Sequence, residues 1–243
     1  MRLEECLEQI FPVDAEAGKR VQERLNALAK PLHGLGRLED MLIQIGAVRW
    51  TEKFSLHKRA LIVMCADNGV VEEGVTQTDS SVTTIVANNF ARGMTSVCLM
   101  AKIAGVDVIP VDIGVKEDTV IRQEKIARGT KNMVKGPAMT REETVRAIET
   151  GIRLAKECAE SGYEILLTGE MGIGNTTTSS AVTAVLLGKE PETVTGRGAG
   201  LSDEGLKRKY RAIKMAIQRN CPNAEDPIDV LAKVGGFDIA GMT

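Results

Sequence analysis

Three observations predict an α/β fold: a three-layer arrangement in which a mostly parallel sheet has helices on both faces, Rossmann-like in plan. First, the runs ALIVMCADNG from residue 60, VDVIPVDIGV over 106–115 and EILLTG over 164–169 are short and continuously apolar, as expected of strands buried on both faces. Second, long stretches of helical periodicity separate them, which makes βαβ units. Third, polar or glycine-rich loops follow two strand ends, at Asp67-Asn68-Gly69 and over 169–177. Ligands bind at that edge of such sheets.

Each element can be justified in turn. Residues 15–50 read as helical, with Val21, Leu25 and Leu28 at helical spacing until Pro31, then Leu38, Leu42 and Ile45 on one face. Residues 1–55 are therefore expected to be a helical N-terminal segment, part of a small helical domain. Residues 56–243 are expected to form an α/β nucleotide-binding domain that is cut short at its C-terminal end. Within it, 80–104 reads as helix interrupted near Gly93. Pro110 cannot donate to a ladder, so the second strand should be an edge or carry a bulge there. Thr140 and Glu143 form a capping box ahead of the stripe Val145, Ile148, Ile152, Ala155 and Cys158, and Gly162 ends that helix. A small-residue helix should run from about Thr176 to Leu187. Ser202 caps another that holds Leu206, Tyr210, Ile213 and Ile217. Asp226-Pro227 is an N-cap and N1 pair, and Gly235-Gly236 closes its helix.

Composition removes several functions. The 243 residues carry 31 Lys plus Arg against 33 Asp plus Glu, with 43% hydrophobic and 26% charged residues, which excludes disorder, collagen and coiled coil. A near-neutral chain with few aromatic rings argues against a nucleic-acid surface. Cys6, Cys65, Cys98, Cys158 and Cys221 form no CxxC pair, so neither a disulfide framework nor a zinc site is supported. No apolar run approaches the ~18 residues that span a bilayer, and the acidic start MRLEECLEQIF is unlike a signal peptide. A soluble, cytoplasmic protein is expected, with no membrane partner. Two histidines, His33 and His57, lie far from the strand ends in sequence and argue against His-based catalysis.

The loop GEMGIGNTTTSS carries most of the chemical information. Gly169, Gly172 and Gly174 let the backbone turn and present N–H groups, and Thr176, Thr177 and Thr178 add hydroxyls at a helix N-terminus, where a phosphate is favoured. The competing reading is a plain strand–helix turn. The loop has neither GK[ST] nor GxGxxG, so no ATP or dinucleotide site is indicated. Glu170 would repel a phosphate, so it points either to solvent or towards another part of the ligand, such as a base offering an N–H. GRGAGLSDEGLKRK is a second glycine cluster before a helix. Its Lys209 could reach a phosphate as a point charge, although Lys207, Arg208 and Arg211 make a solvated basic face the competing reading. ADNGVVEEGVTQTDSS is either a surface loop or a loop over the sheet edge, where Thr78 or Ser81 meets a ligand.

KPLHGLGRLE, VMCADNGVVEEGV, VTTIVANNFARG, GPAMTREE, GEMGIGNTTTSSAV, GRGAGL and DVLAKVGGFDIAGM follow in an order that resembles the nicotinate-nucleotide:dimethylbenzimidazole phosphoribosyltransferases of cobalamin nucleotide-loop assembly. The resemblance implies transfer of phosphoribose from nicotinate mononucleotide to a benzimidazole-type base, giving an α-ribazole 5′-phosphate. It implies no cofactor, no metal and a homodimer. It places the phosphate grip on Gly172, Ile173, Gly174, Asn175, Thr176 and Thr177, with Lys209 as its charged partner. Thr78 falls in the base pocket, and Glu170 becomes an auxiliary carboxylate beside the base. Two departures bear on the acceptor: Ile85 and Val86 stand where relatives often have a Gln, and KPLHGLG carries His33 and Gly34 in place of the usual residues. The resemblance also places the last strands of the sheet and a general-base Glu, in a late LGEG segment, beyond Thr243. The 243 residues are therefore expected to bind the nucleotide more readily than they turn it over. Two other readings are a non-catalytic nucleotide-binding module and a transferase with a different acceptor, such as a purine or phenol.

Overall fold

The computed structural model describes all 243 residues. They form two compact units, Glu4–His57 on the one hand and Met1–Leu3 with Lys58–Thr243 on the other.

The smaller unit holds α1 (Leu3–Glu8) from Glu4 onwards, α2 (Ala15–Asn26) and α3 (Arg37–Val48). Asp14 caps α2 by accepting from the Glu16 amide at 3.0 Å, which satisfies a donor the helix cannot. Ala17, Val21 and Leu25 form the buried stripe of α2 and pack on Ala47 and its neighbours in α3. Glu39 is buried there and accepts from Lys30 Nζ at 2.8 Å and from the Leu35 amide at 3.0 Å.

The larger unit begins with β1 (Arg59–Ala66) and continues through a 3₁₀ turn at Gly69–Glu73. Next come α4 (Ser81–Ala91), α5 (Ser96–Ala104), β2 (Val106–Gly114), β3 (Arg122–Gln123), α6 (Arg141–Glu160) and β4 (Ile165–Met171). Helices α7 (Asn175–Leu187), α8 (Pro191–Val194), α9 (Asp203–Asn220), α10 (Pro227–Val234) and α11 (Phe237–Met242) complete it. The strands form one sheet in the order β3-β2-β1-β4, with every pairing parallel. Side chains of β1 alternate between two cores. Ile62, Met64 and Ala66 join Ile148 of α6, Ile213 of α9, Val230 of α10 and Phe237 of α11. Val63 and Cys65 join Ala87 and Phe90 of α4, with Val97 and Cys98 of α5 packed alongside. Helices therefore cover both faces, as the apolar runs predict.

Several local expectations are met in detail. Thr140 Oγ1 accepts from the Glu143 amide at 3.1 Å, and the Glu143 carboxylate accepts from the Thr140 amide at 2.8 Å. Ser202 caps α9 and Asp226 caps α10, with Pro227 at its first position. The helical stretch 80–104 is broken into α4 and α5 around Gly93. Pro110 pairs with Val63 of β1, while β3 covers the other side of β2 only at Val111 and Asp112. Its missing N–H thus falls on an open flank, and the bulge in this ladder lies further on, between Cys65 and Ala66.

One strand departs from expectation. EILLTG reads as buried on both faces, yet Leu166 and Leu167 are 38% and 41% exposed. The reason is position: β4 is the outermost strand and pairs only with β1, so its outer flank is open. An apolar run reports buried faces and says nothing about which strand lies at the border.

Because the capping box satisfies two helix-end donors at the start of a 20-residue helix, Thr140→Ala should lower stability by about 1 kcal/mol. Urea unfolding of the two proteins, with equal m-values, checks this.

Candidate phosphate-binding site

The site forms where the carboxyl ends of β1 and β4 meet the start of α7. Leaving β4, the chain crosses directly over the end of β1. A Cβ on Gly172 would run into the Ala66 carbonyl, so only glycine permits this approach. Gly174 then adopts a φ of 93° and serves as N-cap of α7 without a side chain of its own. The Asn175 amide donates to the Gly172 carbonyl at 3.1 Å, and the Thr177 amide donates to the Gly174 carbonyl at 2.9 Å. From α4, Thr83 Oγ1 accepts from the Ile173 amide at 3.1 Å and pins the middle of the loop.

Lys209 settles which residue of the basic cluster matters. Lys207, Arg208 and Arg211 are not buried, whereas Lys209 is 1% exposed. Its ammonium donates to Thr176 Oγ1 at 2.7 Å and to the Gly196 carbonyl at 3.1 Å. Gly198 lies against the same two side chains. Helix α9 thus delivers a cation to the N-terminus of α7, and burial lowers its pKa. No carboxylate neutralises it, since its two partners are a hydroxyl and a carbonyl. A buried cation is costly unless paired, and an anion at the α7 N-terminus would supply the missing charge.

The predicted residues fall as follows. Gly172, Ile173, Gly174, Asn175, Thr176 and Thr177 form one continuous turn, with Lys209 against Thr176. Thr176 is exposed, while Thr177 is fully buried and its hydroxyl has no partner within the chain. Glu170 sits two residues before the turn and accepts from Asn175 Nδ2. Thr78 lies on an exposed loop, where its carbonyl accepts from Thr76 Oγ1 at 2.7 Å. The adjacent Gln77 amide group donates to the Gly200 carbonyl, tying that loop to the glycine segment that also touches Thr176 and Lys209.

Four further residues shape the site, and two of them, Thr83 and Asp238, are not singled out by sequence reasoning. Thr83 has been described. Asp67 is wholly buried and accepts from the Lys116 amide at 2.8 Å; burial raises its pKa. Asn68 packs beneath Gly172 and Gly174 and points its Nδ2 at Asp238 Oδ2, 3.4 Å away. Asp238, at the start of α11, is wholly buried. Burial first, and then Asp67, push its pKa up to about 6 against the pull of the Ile239 amide and Asn68. Asp67-Asn68-Gly69 is visible in sequence as a polar strand end. Asp238 is not, because FDIAGM reads only as the beginning of an apolar element.

Glu170 is the other perturbed carboxyl. The side chain reaches solvent on one side, yet protein packed around the carboxyl, and then the Asp238 charge, push its pKa up to about 7. A group with that pKa exchanges protons readily at neutral pH. Cys65 is nearby, but burial raises its thiol so far that it stays neutral.

A glycine turn at a helix N-terminus with a buried lysine beside it, at the carboxyl edge of a parallel sheet, is the arrangement of α/β proteins whose ligands bind at that edge. Comparison with known proteins narrows that class. Residues 10–243 match the family described as phosphoribosyltransferase. The nicotinate-nucleotide–dimethylbenzimidazole phosphoribosyltransferase of Acetivibrio thermocellus is 50% identical over 241 residues, covering 98% of this chain and 69% of that protein. The protein of the same name from Alkaliphilus metalliredigens is 49% identical, covering 99% of this chain and 70% of its own length. The crystal structure of CobT from Thermus thermophilus superposes with a TM-score of 0.87 at 38% identity, over 93% of this chain and 69% of that one. This chain belongs to the nicotinate-nucleotide–dimethylbenzimidazole phosphoribosyltransferase family.

The buried Asp238 gives the site a pH signature. Its folded pKa, about 6, lies above the unfolded Asp value near 4, so ionisation favours the unfolded chain. The stability it contributes is therefore complete below about pH 4 and lost as pH rises through about 6. A shift of that size corresponds to roughly 3 kcal/mol. Relative to Asp238→Asn, the parent protein should gain stability as pH falls from 7 to 4. Denaturant titrations of both proteins at several pH values measure this, and parallel pH profiles would contradict it.

Proposed function

We propose that this chain transfers phosphoribose from nicotinate mononucleotide to 5,6-dimethylbenzimidazole or a related base, giving α-ribazole 5′-phosphate and nicotinate for cobalamin biosynthesis. The observation that carries the reading is the uncompensated ammonium of Lys209, buried against Thr176 at the N-terminus of α7. The nucleotide's 5′-phosphate is the anion that completes it.

In this reading Gly172 to Thr177 and Lys209 hold the phosphate, which fixes the ribose over the sheet edge. The acceptor nitrogen attacks C1′ from the face opposite nicotinate, so the anomeric configuration inverts. As the new N–C1′ bond forms, the old one breaks, and its electron pair returns to the pyridinium nitrogen of nicotinate. The leaving group already carries positive charge and needs no acid. The acceptor must lose its N–H proton, and Glu170, with its pKa of about 7, is the carboxylate of the loop suited to share or take it. Thr78 lines the acceptor side, on the loop that Gln77 ties to Gly200. The reading includes a homodimer in the cytoplasm. Helix α5 presents Leu99, Met100 and Ile103 to solvent, an apolar surface of the kind that associates.

Calorimetry with nicotinate mononucleotide and with nicotinate riboside tests the phosphate grip. Charge-assisted hydrogen bonds contribute roughly 1.5–3 kcal/mol each, so the nucleotide should bind at least about tenfold more tightly. Lys209→Ala should remove most of that difference without changing the preference among acceptor bases; equal affinity of the parent protein for both ligands would take the phosphate out of this site.

Glu170→Gln should slow formation of α-ribazole phosphate while leaving nucleotide affinity nearly unchanged. A general base contributes about 10²–10⁴-fold, and a carboxylate that only shares the proton should cost less. Loss of nucleotide binding instead would assign Glu170 to holding the loop through Asn175.

A further inference from the structure

Glu170 stands on β4 opposite Met64 of β1. Neighbouring residues in register point to the same face, so its side chain projects on the face of Met64. That face is covered by α11, whose Gly241 packs against the Met64 sulfur. The elements packed on β4 are β1, α4 and α11. Helix α4 has no ionisable side chain, and neither does α7, which follows the loop. Strand β1 has Arg59 at its far end, paired in register with Ile165, and Cys65, a buried neutral thiol. Helix α11 has one ionisable residue, Asp238. Beyond β1, Asp67 is buried and faces the Lys116 amide and Asp238. Lys209, across the turn, is engaged by Thr176 and Gly196.

Asp238 is thus the charge the fold places on Glu170's side of the sheet, and it is held there from two directions. Its own helix supplies the Ile239 amide at 2.9 Å, and Asn68, wedged under the phosphate turn, points its amide at the other oxygen. Gly236, which precedes α11, has no room for a Cβ between Asp238 and Asn68, so the contact is built into the backbone.

We propose that Asp238 is a positioning residue for Glu170: held beneath the phosphate turn by Asn68, its charge adds to the effect of burial in favouring the protonated form of Glu170, and so tunes how the carboxyl shares the acceptor's proton. This rests on the assignment of Glu170 as the proton-sharing carboxylate. An ionised Asp238 repels the ionised form of Glu170 and so favours its protonated form. Removing the Asp238 charge makes Glu170 a weaker proton acceptor that is ionised at lower pH. Asn68→Ala should act in the same direction through a different element. Without the Asn68 amide, Asp238 is itself protonated more readily and its repulsion fades.

The test uses the full chain with each carboxyl observed directly. Carbon-13 titration of Glu170 in the parent protein, Asp238→Asn and Asn68→Ala should show its midpoint displaced downwards by about half a pH unit or more in both variants. The rate of transfer against pH should move with it. An unchanged Glu170 midpoint in both variants overturns the proposal; if one variant does not fold, the other decides. A merely structural role for Asp238 would lower stability and leave the midpoint in place. The underlying assignment fails separately: Glu170→Gln would then retain the near-neutral limb of the pH–rate profile.

Discussion

A buried ammonium with no carboxylate to neutralise it is the interaction on which the site depends. Lys209 reaches Thr176 from α9, and Thr176 stands in the first turn of α7. The end of β4, the start of α7 that follows it and the body of α9, 33 positions further on at Lys209, therefore share one point. Desolvation makes an unpaired cation expensive, and the N-terminus of α7 adds a partial positive charge of its own. The resulting field favours an anion, and glycine at 172 lets the turn pack directly on the Ala66 carbonyl.

The same crossing explains the carboxylates. A sheet of parallel strands ends all its chains on one edge, so Asp67 and Asn68 after β1, Glu170 of β4 and Asp238 after the Gly235-Gly236 turn converge. Water is excluded from most of them. Each carboxyl pays for that in proton affinity, Asp238 to about 6 and Glu170 to about 7. Positive charge lies on the Lys209 side of the turn and perturbed acid on the other side. This separation suits a reaction that grips a dianion while drawing a proton from a neighbouring group.

Much of this was legible in the sequence. The strand runs, the TREE box, the Ser202 and Asp226 caps and the glycine loop are local signals. Each depends on residues within a few positions of one another, where backbone geometry leaves little freedom. The family resemblance added expected roles for Glu170, Thr78 and Lys209, and the structure places Glu170 and Lys209 at the same turn. The basic cluster around 207–211 remained ambiguous at that level, because spacing does not reveal which of four cations is desolvated.

Tertiary structure decided the rest. It selected Lys209 from its neighbours by burying it, and it put β4 at the border of the sheet, where a run of apolar letters reads the same as in the centre. It brought Asn68 and Asp238 together across 170 positions of sequence, a contact no local pattern encodes. Burial, strand order and charge coupling arise from which segments pack against one another. The sequence by itself determined the elements and the chemistry they carry. Only the packed fold determined which of those groups lose their water, and hence which of them have perturbed proton affinities.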